Sequence, residues 1–280
     1  MIEDEHFTCS PRADELWTDA APAAILIDTR DTSGLESFIA RAKDLAVPVI
    51  SIHDLGLALL PSDIIIDGSV APPPRDRFPQ GTRYYCGPDY MVLDPLYGLL
   101  HQRPKEIRNG IRSVFINLGG GDSARYYETV LLGLKLWNRR IDVTGTSGFV
   151  QWGQESLEAR DWRPINFRWE SENPQEHLFE ADIAITAGGI AGYEALCAGT
   201  PLLTLSYDSL QQITIAGLSA VGACIDLSFG DALQPESLAS VLSDLEHDTP
   251  RRRNLSTSGR LLVDGRGAER VSSIIRGAIL

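Results

Sequence analysis

Short apolar runs rich in Ile, Val and Leu recur along the chain, each closed by a polar residue or a glycine. They predict strands at Ala24–Ile27, Val47–Ile52, Asp63–Ile66, Ser113–Leu118, Arg140–Thr144, Ile165–Arg168, Ile183–Ile185, Leu202–Leu205 and Ala223–Asp226. Between them lie stretches with helical spacing of apolar positions: Leu35–Leu45, Ala124–Trp137, Pro174–Glu180, Gly192–Ala198 and Leu210–Val221. Strand and helix alternate. Parallel strands need crossover connections, so this alternation predicts an α/β fold with doubly wound parallel sheets. Two more helices are expected near the end, at Pro235–Glu246 and Ala268–Ile279, with the turn-like VDGRG before the second.

The segment Ala71–Gly110 breaks the alternation. It carries APPPRDRFPQG and GPDYMVLDP, too rich in Pro and Gly for a continuous sheet, and then a basic stretch. An N-terminal domain over 1–95 and a C-terminal domain over 96–280 follow from that break. A chain of 280 residues supplies core enough for both.

Charge narrows the partners. The net charge of −13 repels polyanions, so no nucleic acid is expected, while a small anion held by local backbone donors remains compatible. The four cysteines stand alone, at 9, 86, 197 and 224, without the CxxC or Cys/His spacing of a zinc site. No metal and no cofactor are expected. No apolar run approaches the ~20 residues of a spanning helix, and the acidic N-terminus lacks the features of a signal peptide. With the lone thiols, this predicts a cytoplasmic location without a transmembrane segment.

Four segments carry candidate chemistry, each after an expected strand. Gly119-Gly120-Gly121-Asp122 joins strand to helix, either as a diphosphate cradle or as a tight βα turn without a ligand. Gly188 and Gly189, in TAGGIAGYE, again open the backbone at a helix start. There Glu194 could accept both hydroxyls of a ribose, or merely complement the helix dipole. Gln211 and Gln212 can bracket sugar hydroxyls, or be solvated. Ser171 and Asn173, in SENP, look like a helix N-cap. All four lie at the C-terminal ends of successive strands, the edge where open α/β sheets bind ligands.

Read together, LGGGD, SENPQEHLFEADIAITAGGIAGYEALCAGTPLLTL and QQITIAGLSAVGA resemble the C-terminal domain of GT-B proteins such as the GlcNAc transferase that completes the peptidoglycan lipid precursor. The chain resembles still more the UDP-sugar hydrolase of the pseudaminic acid pathway. AAILIDTRD, VPVISIHDLG, SDIIIDG, YYCGPDYMVLDP and VDGRGAERV match that family's landmarks in order, from about Ala24 to Ile275. The resemblance implies two Rossmann-like domains, the N-terminal one shortened, and a UDP-sugar as partner. It implies that Gly119–Gly121, Gly188 and Gly189 face the diphosphate and Glu194 the ribose. Gln211 and Gln212 would reach the sugar, and the segment from Arg168 to Asn173 would lie beside the base.

The family's N-terminal GxGH turn, whose histidine is the expected general base, has no counterpart here, and the chain starts where the first two βα units would already be finished. His53 is the one strand-end imidazole of the first unit, at a position where relatives carry an acidic residue. It is a candidate base or an ordinary strand-end histidine. The implied function is release of UDP from a UDP-linked diacetamido-trideoxy sugar. The alternatives are a glycosyltransferase, or a non-catalytic binding subunit that borrows its missing strands from a partner polypeptide. An exposed apolar sheet edge near Ala24–Ile27 would mark the last of these.

Overall fold

The computed structural model describes residues 22–29, 32, 34–53, 60–119, 124–146, 157, 159–170 and 172–279. Their contacts divide the chain into two compact units. One takes the residues up to Tyr90 together with Glu269–Leu280, and the other is Met91–Ala268.

The first unit is built on four parallel strands in sequential order: β1 (Ile25–Ile27), β2 (Val49–His53), β3 (Ile64–Asp67) and β4 (Arg83–Cys86). Alternation along β2 sends Val49 to one face and Ile50 to the other. Val49 joins Ile25, Ile27, Phe38, Ile39 and Ala42 beneath helix α1 (Leu35–Asp44). Ile50 joins Ile64, Ile66 and Val271, with Ile274, Ile275 and Ala278 packed alongside. Those last residues belong to the C-terminal helix, Gly267–Ile279. The end of the chain thus covers the second face of the first sheet. Strand β1 lies at the sheet edge among the described residues, and Leu26 on it is 47% exposed.

The second unit has six parallel strands in the order β10-β9-β8-β5-β6-β7. In chain order they are β5 (Ser113–Asn117), β6 (Asp142–Gly145), β7 (Asn166–Trp169), β8 (Ile183–Ala187), β9 (Leu202–Ser206) and β10 (Cys224–Phe229). The chain winds outward from β5 through β6 to β7, returns to pair β8 with β5, and continues the other way. The order therefore reverses between β5 and β8. One face of the sheet packs under α3 (Ala124–Trp137) and α7 (Pro235–His247), whose Leu134 and Leu238 are wholly buried. The other elements are α2 (Pro95–Gln102), α4 (Pro174–Glu180), α5 (Ile190–Ala198), α6 (Ser209–Ala220) and α8 (Thr249–Leu262). The C-terminal helix is α9.

A carboxylate fixes the pairing of a central strand in each unit. Asp182, just before β8, accepts from the backbone N–H groups of Arg112 (2.8 Å) and Ser113 (3.1 Å) at the start of β5, and from Arg108 Nε (2.8 Å). Asp63, just before β3, accepts from the N–H of Val49 at the start of β2 (2.8 Å). Three elements differ from the sequence expectation by being present at all. Strand β4 is polar and aromatic because it is an edge. Helix α2 lies inside the Pro- and Gly-rich segment. Helix α8 buries Arg252, Ser256 and Gly259 beside Leu255 and so shows no apolar stripe.

Two outcomes follow. Leu238 fills the space over Gly133 of α3, where an added Cβ would lie 2.8 Å from the leucine side chain. Leu238→Ala opens a cavity there and should lower stability by about 2–5 kcal/mol in urea unfolding. His53 is 7% exposed, and burial lowers its ring from 6.5 to about 4. The unfolded chain therefore binds the extra proton between those two values, and stability falls as pH drops from 6.5 to 4. With solvent screening allowed for, the loss is on the order of 2 kcal/mol. Urea midpoints at pH 7 and pH 4.5 should differ by less in a His53→Gln variant than in the natural chain.

Candidate functional site

The parallel pairing of β5, β8 and β9 carries their C-terminal ends to one edge of the second sheet, and the strand order reverses between the first two. A crevice beyond that reversal is where open α/β sheets accept ligands. Gly119 follows β5, Gly188 and Gly189 follow β8, and Gln211 and Gln212 lie in the first turn of α6 after β9. These five positions share one edge. Gly120, Gly121, Asp122 and Ser171 lie outside the described residues.

The glycines serve different ends. Gly119 has φ +78°, a left-handed conformation that favours glycine, and its N–H donates to Asn117 Oδ1 (3.0 Å). Tyr207, after β9, closes over this turn by donating its hydroxyl to Leu118 O, and its ring stacks on Tyr126 of α3 with centroids 5.2 Å apart. Gly188 is needed for close approach, since a Cβ there would lie 2.8 Å from the Gln211 carbonyl oxygen. Gly189 is exposed, and a Cβ there would meet nothing within 4 Å. Space therefore opens at Gly189, in front of α5.

The helix starts that follow β8 and β9 on this edge are not equivalent. Helix α6 is capped by Asp208, whose carboxylate accepts from the N–H groups of Leu210 (2.9 Å) and Gln211 (2.8 Å). Its first turn is occupied by a negative charge of its own. Helix α5 begins at Gly189 with no side-chain cap. The first-turn N–H groups of α5, unlike those of α6, meet no carboxylate from their own turn.

Glu194 sits one turn into α5, partly buried. Burial pushes its carboxyl above the ordinary range, the Tyr97 hydroxyl opposes this by hydrogen bonding to it, and the Asp94 charge adds to the rise. Both partners come from α2. Sequence reasoning missed them because it placed no helix there, although Asp94-Pro95 is a start signal: Asp94 caps α2 at Leu96 N–H (2.8 Å) and Pro95 is its first residue. Gln211 is half-buried and its Oε1 accepts from Tyr207 N–H (3.2 Å), whereas Gln212 is exposed.

Arg168 and Asn173 lie farther along the same sheet, on and after the edge strand β7. Arg168 is exposed and lines an open groove with Arg163, Phe167 and Trp169. Asn173 is the residue before α4, in a left-handed conformation and without a side-chain cap bond. Glu170 orders the turn between them, accepting from Glu172 N–H (2.9 Å) and lying 3.1 Å from His177 Nε2.

In the first unit, His53 ends β2 beside Asp67, its register partner at the end of β3. Its Nε2 is hydrogen-bonded to Ser51 Oγ at 2.8 Å, and Nδ1 is buried without a partner among the described residues. Burial keeps the ring unprotonated at neutral pH. Asp67 holds the next turn by accepting from Ser69 N–H (2.9 Å). No helix among the described residues is long and apolar enough to cross a membrane.

No family model matches the chain. It is 31% identical over 229 residues to the spore coat polysaccharide biosynthesis protein SpsG of Bacillus subtilis, an alignment that takes in 79% of this chain and 66% of that protein, just under two thirds of its length. MurG of Acinetobacter baumannii superposes with a TM-score of 0.64 at 15% identity, over 87% of this chain and 70% of that one. UGT89C1 of Arabidopsis thaliana, solved in complex with UDP, gives 0.60 at 13% identity over 93% and 73%. Two α/β units, each built on a parallel sheet, are the architecture of these GT-B structures; the chain has that fold and over the aligned residues is similar to SpsG.

Proposed function

We propose that the second unit binds a UDP-sugar through its diphosphate and ribose, and that the chain releases UDP from it. One observation carries the reading. At the edge where the strand order reverses, α5 begins without a side-chain cap beside an open glycine, while neighbouring α6 is closed by its own Asp208. An anion is favoured at the first helix and disfavoured at the second. Glu194 then lies one turn further along α5, where a carboxylate accepts from ribose hydroxyls. Gln211 and Gln212, in the first turn of α6, would reach the sugar, and Arg168 and Asn173, farther along the sheet, would lie toward the base. The assignment of SpsG to spore coat polysaccharide biosynthesis and the UDP bound in the UGT89C1 complex support a sugar nucleotide as ligand.

The motif resemblance points to water as the acceptor and to a UDP-linked diacetamido-trideoxy sugar as substrate. His53 is the proposed base. A ring lowered to about 4 takes up a proton weakly, so the expected turnover is slow; a histidine matched to neutral pH is worth ~10²–10⁴-fold. UDP release from that sugar nucleotide, in buffer without an acceptor, should be slow and should fall further in His53→Ala. Fast release unchanged by His53→Ala would assign the base elsewhere.

Binding is tested separately. Calorimetry should show UDP binding more tightly than ADP or GDP, with Glu194→Ala weakening UDP by about 1–3 kcal/mol, the usual cost of a lost charge-assisted hydrogen bond. Equal affinity for the three diphosphates would sink the uridine assignment. Gly189→Ala gives a second reading, because the added methyl meets nothing in the fold. The variant should keep its melting temperature and lose UDP affinity. Unaltered affinity would place the diphosphate away from α5.

A further inference from the structure

We propose that Tyr207 is a positioning residue for the diphosphate: its side chain crosses the end of β8, and its hydroxyl clamps the glycine turn of β5 beside the start of α5. The inference rests on the diphosphate reading proposed above and adds what holds the neighbouring turn in place. Strands β9 and β5 lie on either side of β8, about 10 Å apart at the usual strand spacing. Tyr207 directly follows β9, and its hydroxyl donates to the carbonyl of Leu118, directly after β5. The phenol must therefore pass over the C-terminal end of β8, from which Gly188, Gly189 and α5 continue.

The peptide unit between Leu118 and Gly119 is held at both ends. Its carbonyl accepts from the Tyr207 hydroxyl, and its N–H donates to Asn117 Oδ1 (3.0 Å). Both bonds oppose rotation of the peptide plane, and so they fix the left-handed Gly119 (φ +78°) from which the glycine-rich turn departs. The hydroxyl lies close against Gly119, since a Cβ there would come within 3.2 Å of it. Asn117 is the register partner of Thr186, so Gly119 follows β5 at the height at which Gly188 follows β8. The clamped turn thus departs beside the helix start at which the anion is proposed to sit.

Tyr207 is itself fixed from two directions. Its N–H donates to Gln211 Oε1 (3.2 Å) in the first turn of α6, a turn whose N–H groups at Leu210 and Gln211 are tied to Asp208. Its ring stacks on Tyr126 of α3, with centroids 5.2 Å apart and planes 13° from parallel. Arg125 lies over the Tyr126 ring at 4.6 Å and pairs with Asp231 at 3.3 Å, so α3 and the turn after β10 together hold that ring. Gly230 makes room for it, because a Cβ there would run into the Tyr126 ring. A phenol has only two torsions, and these contacts set them before a ligand arrives. The entropy of ordering the turn is then lost on folding rather than on binding.

The test is calorimetry of UDP and uridine on the full chain, comparing the natural protein with Tyr207→Phe and Asn117→Ala. Uridine lacks the diphosphate and reports base and ribose alone. The natural chain should prefer UDP by roughly tenfold or more, about the value of one charge-assisted bond to the diphosphate. Tyr207→Phe keeps the ring and the backbone bond to Gln211 and removes only the clamp. It should lower the preference by about threefold to tenfold, the worth of one hydrogen bond, and leave uridine affinity unchanged. Asn117→Ala releases the other end of the same peptide and should act in the same direction. A general loss of stability weakens both ligands alike, so the ratio reads the placement of the turn. Tyr207→Phe with the full preference would overturn the proposal, whatever Asn117→Ala does, and leave the diphosphate reading standing. A natural chain that binds uridine as tightly as UDP would overturn that reading and the positioning role with it.

Discussion

The pairing of β5 with β8 is the constraint on which the candidate site depends, and a single carboxylate far from the site holds it. These strands are adjacent in space but separated in sequence by α3, β6, β7 and α4. Nothing local brings them together. Asp182 does so from the opposite edge, accepting two backbone N–H groups where β5 begins and an arginine besides. A carboxylate this buried is tolerated only with its oxygens satisfied, and removal of a partner would leave a costly unpaired charge. A residue slip at that end would misalign the glycine turns at the other, because parallel strands transmit register along their length.

The same device at Asp63 shows what the sequence displayed and what it hid. In both SDIII and ADIAI an aspartate stands directly before a run that forms a central, fully buried strand. The apolar runs were legible because both faces of these strands are covered and demand Ile and Leu. Strand β4 was not, because an edge strand can be Arg-Tyr-Tyr-Cys and remain partly exposed. Helix α8 was illegible for a different reason: it buries a wholly inaccessible arginine whose guanidinium donates to the carbonyls of Arg108 (2.9 Å) and Gly110 (2.8 Å). Packing of that kind leaves no periodic apolar signal. The C-terminal helix was legible as a helix, but its destination on the first sheet was not, since amphipathicity specifies a face and not a partner.

The site was legible in the same uneven way. Glycines at strand ends announce places where the backbone must come close to something, and the sequence does not say to what. Gly188 comes close to the backbone of Gln211, so its demand is met within the protein. Gly189 faces open space. Glu194 stood out as a carboxylate near a helix start, yet what surrounds it comes from α2, nearly a hundred residues earlier, in a segment that Pro and Gly disguised as a linker.

These observations share one logic. An anion-binding helix start has to be left without a carboxylate of its own, and an uncapped start is unstable unless the helix is secured elsewhere. Helix α6 avoids that conflict through Asp208. Helix α5 resolves it differently: its body is buried on β8 and β9, its far end is closed by Gly199 in a left-handed conformation, and α2 and α8 hold its flanks through Tyr97, His101 and Arg260. The stability that a cap would supply comes instead from packing along the rest of the helix. The start is thereby left without a carboxylate of its own, and Glu194 lies one turn further along the secured helix. The segment that looks like a linker in the sequence therefore carries α2, one of the two helices that secure α5.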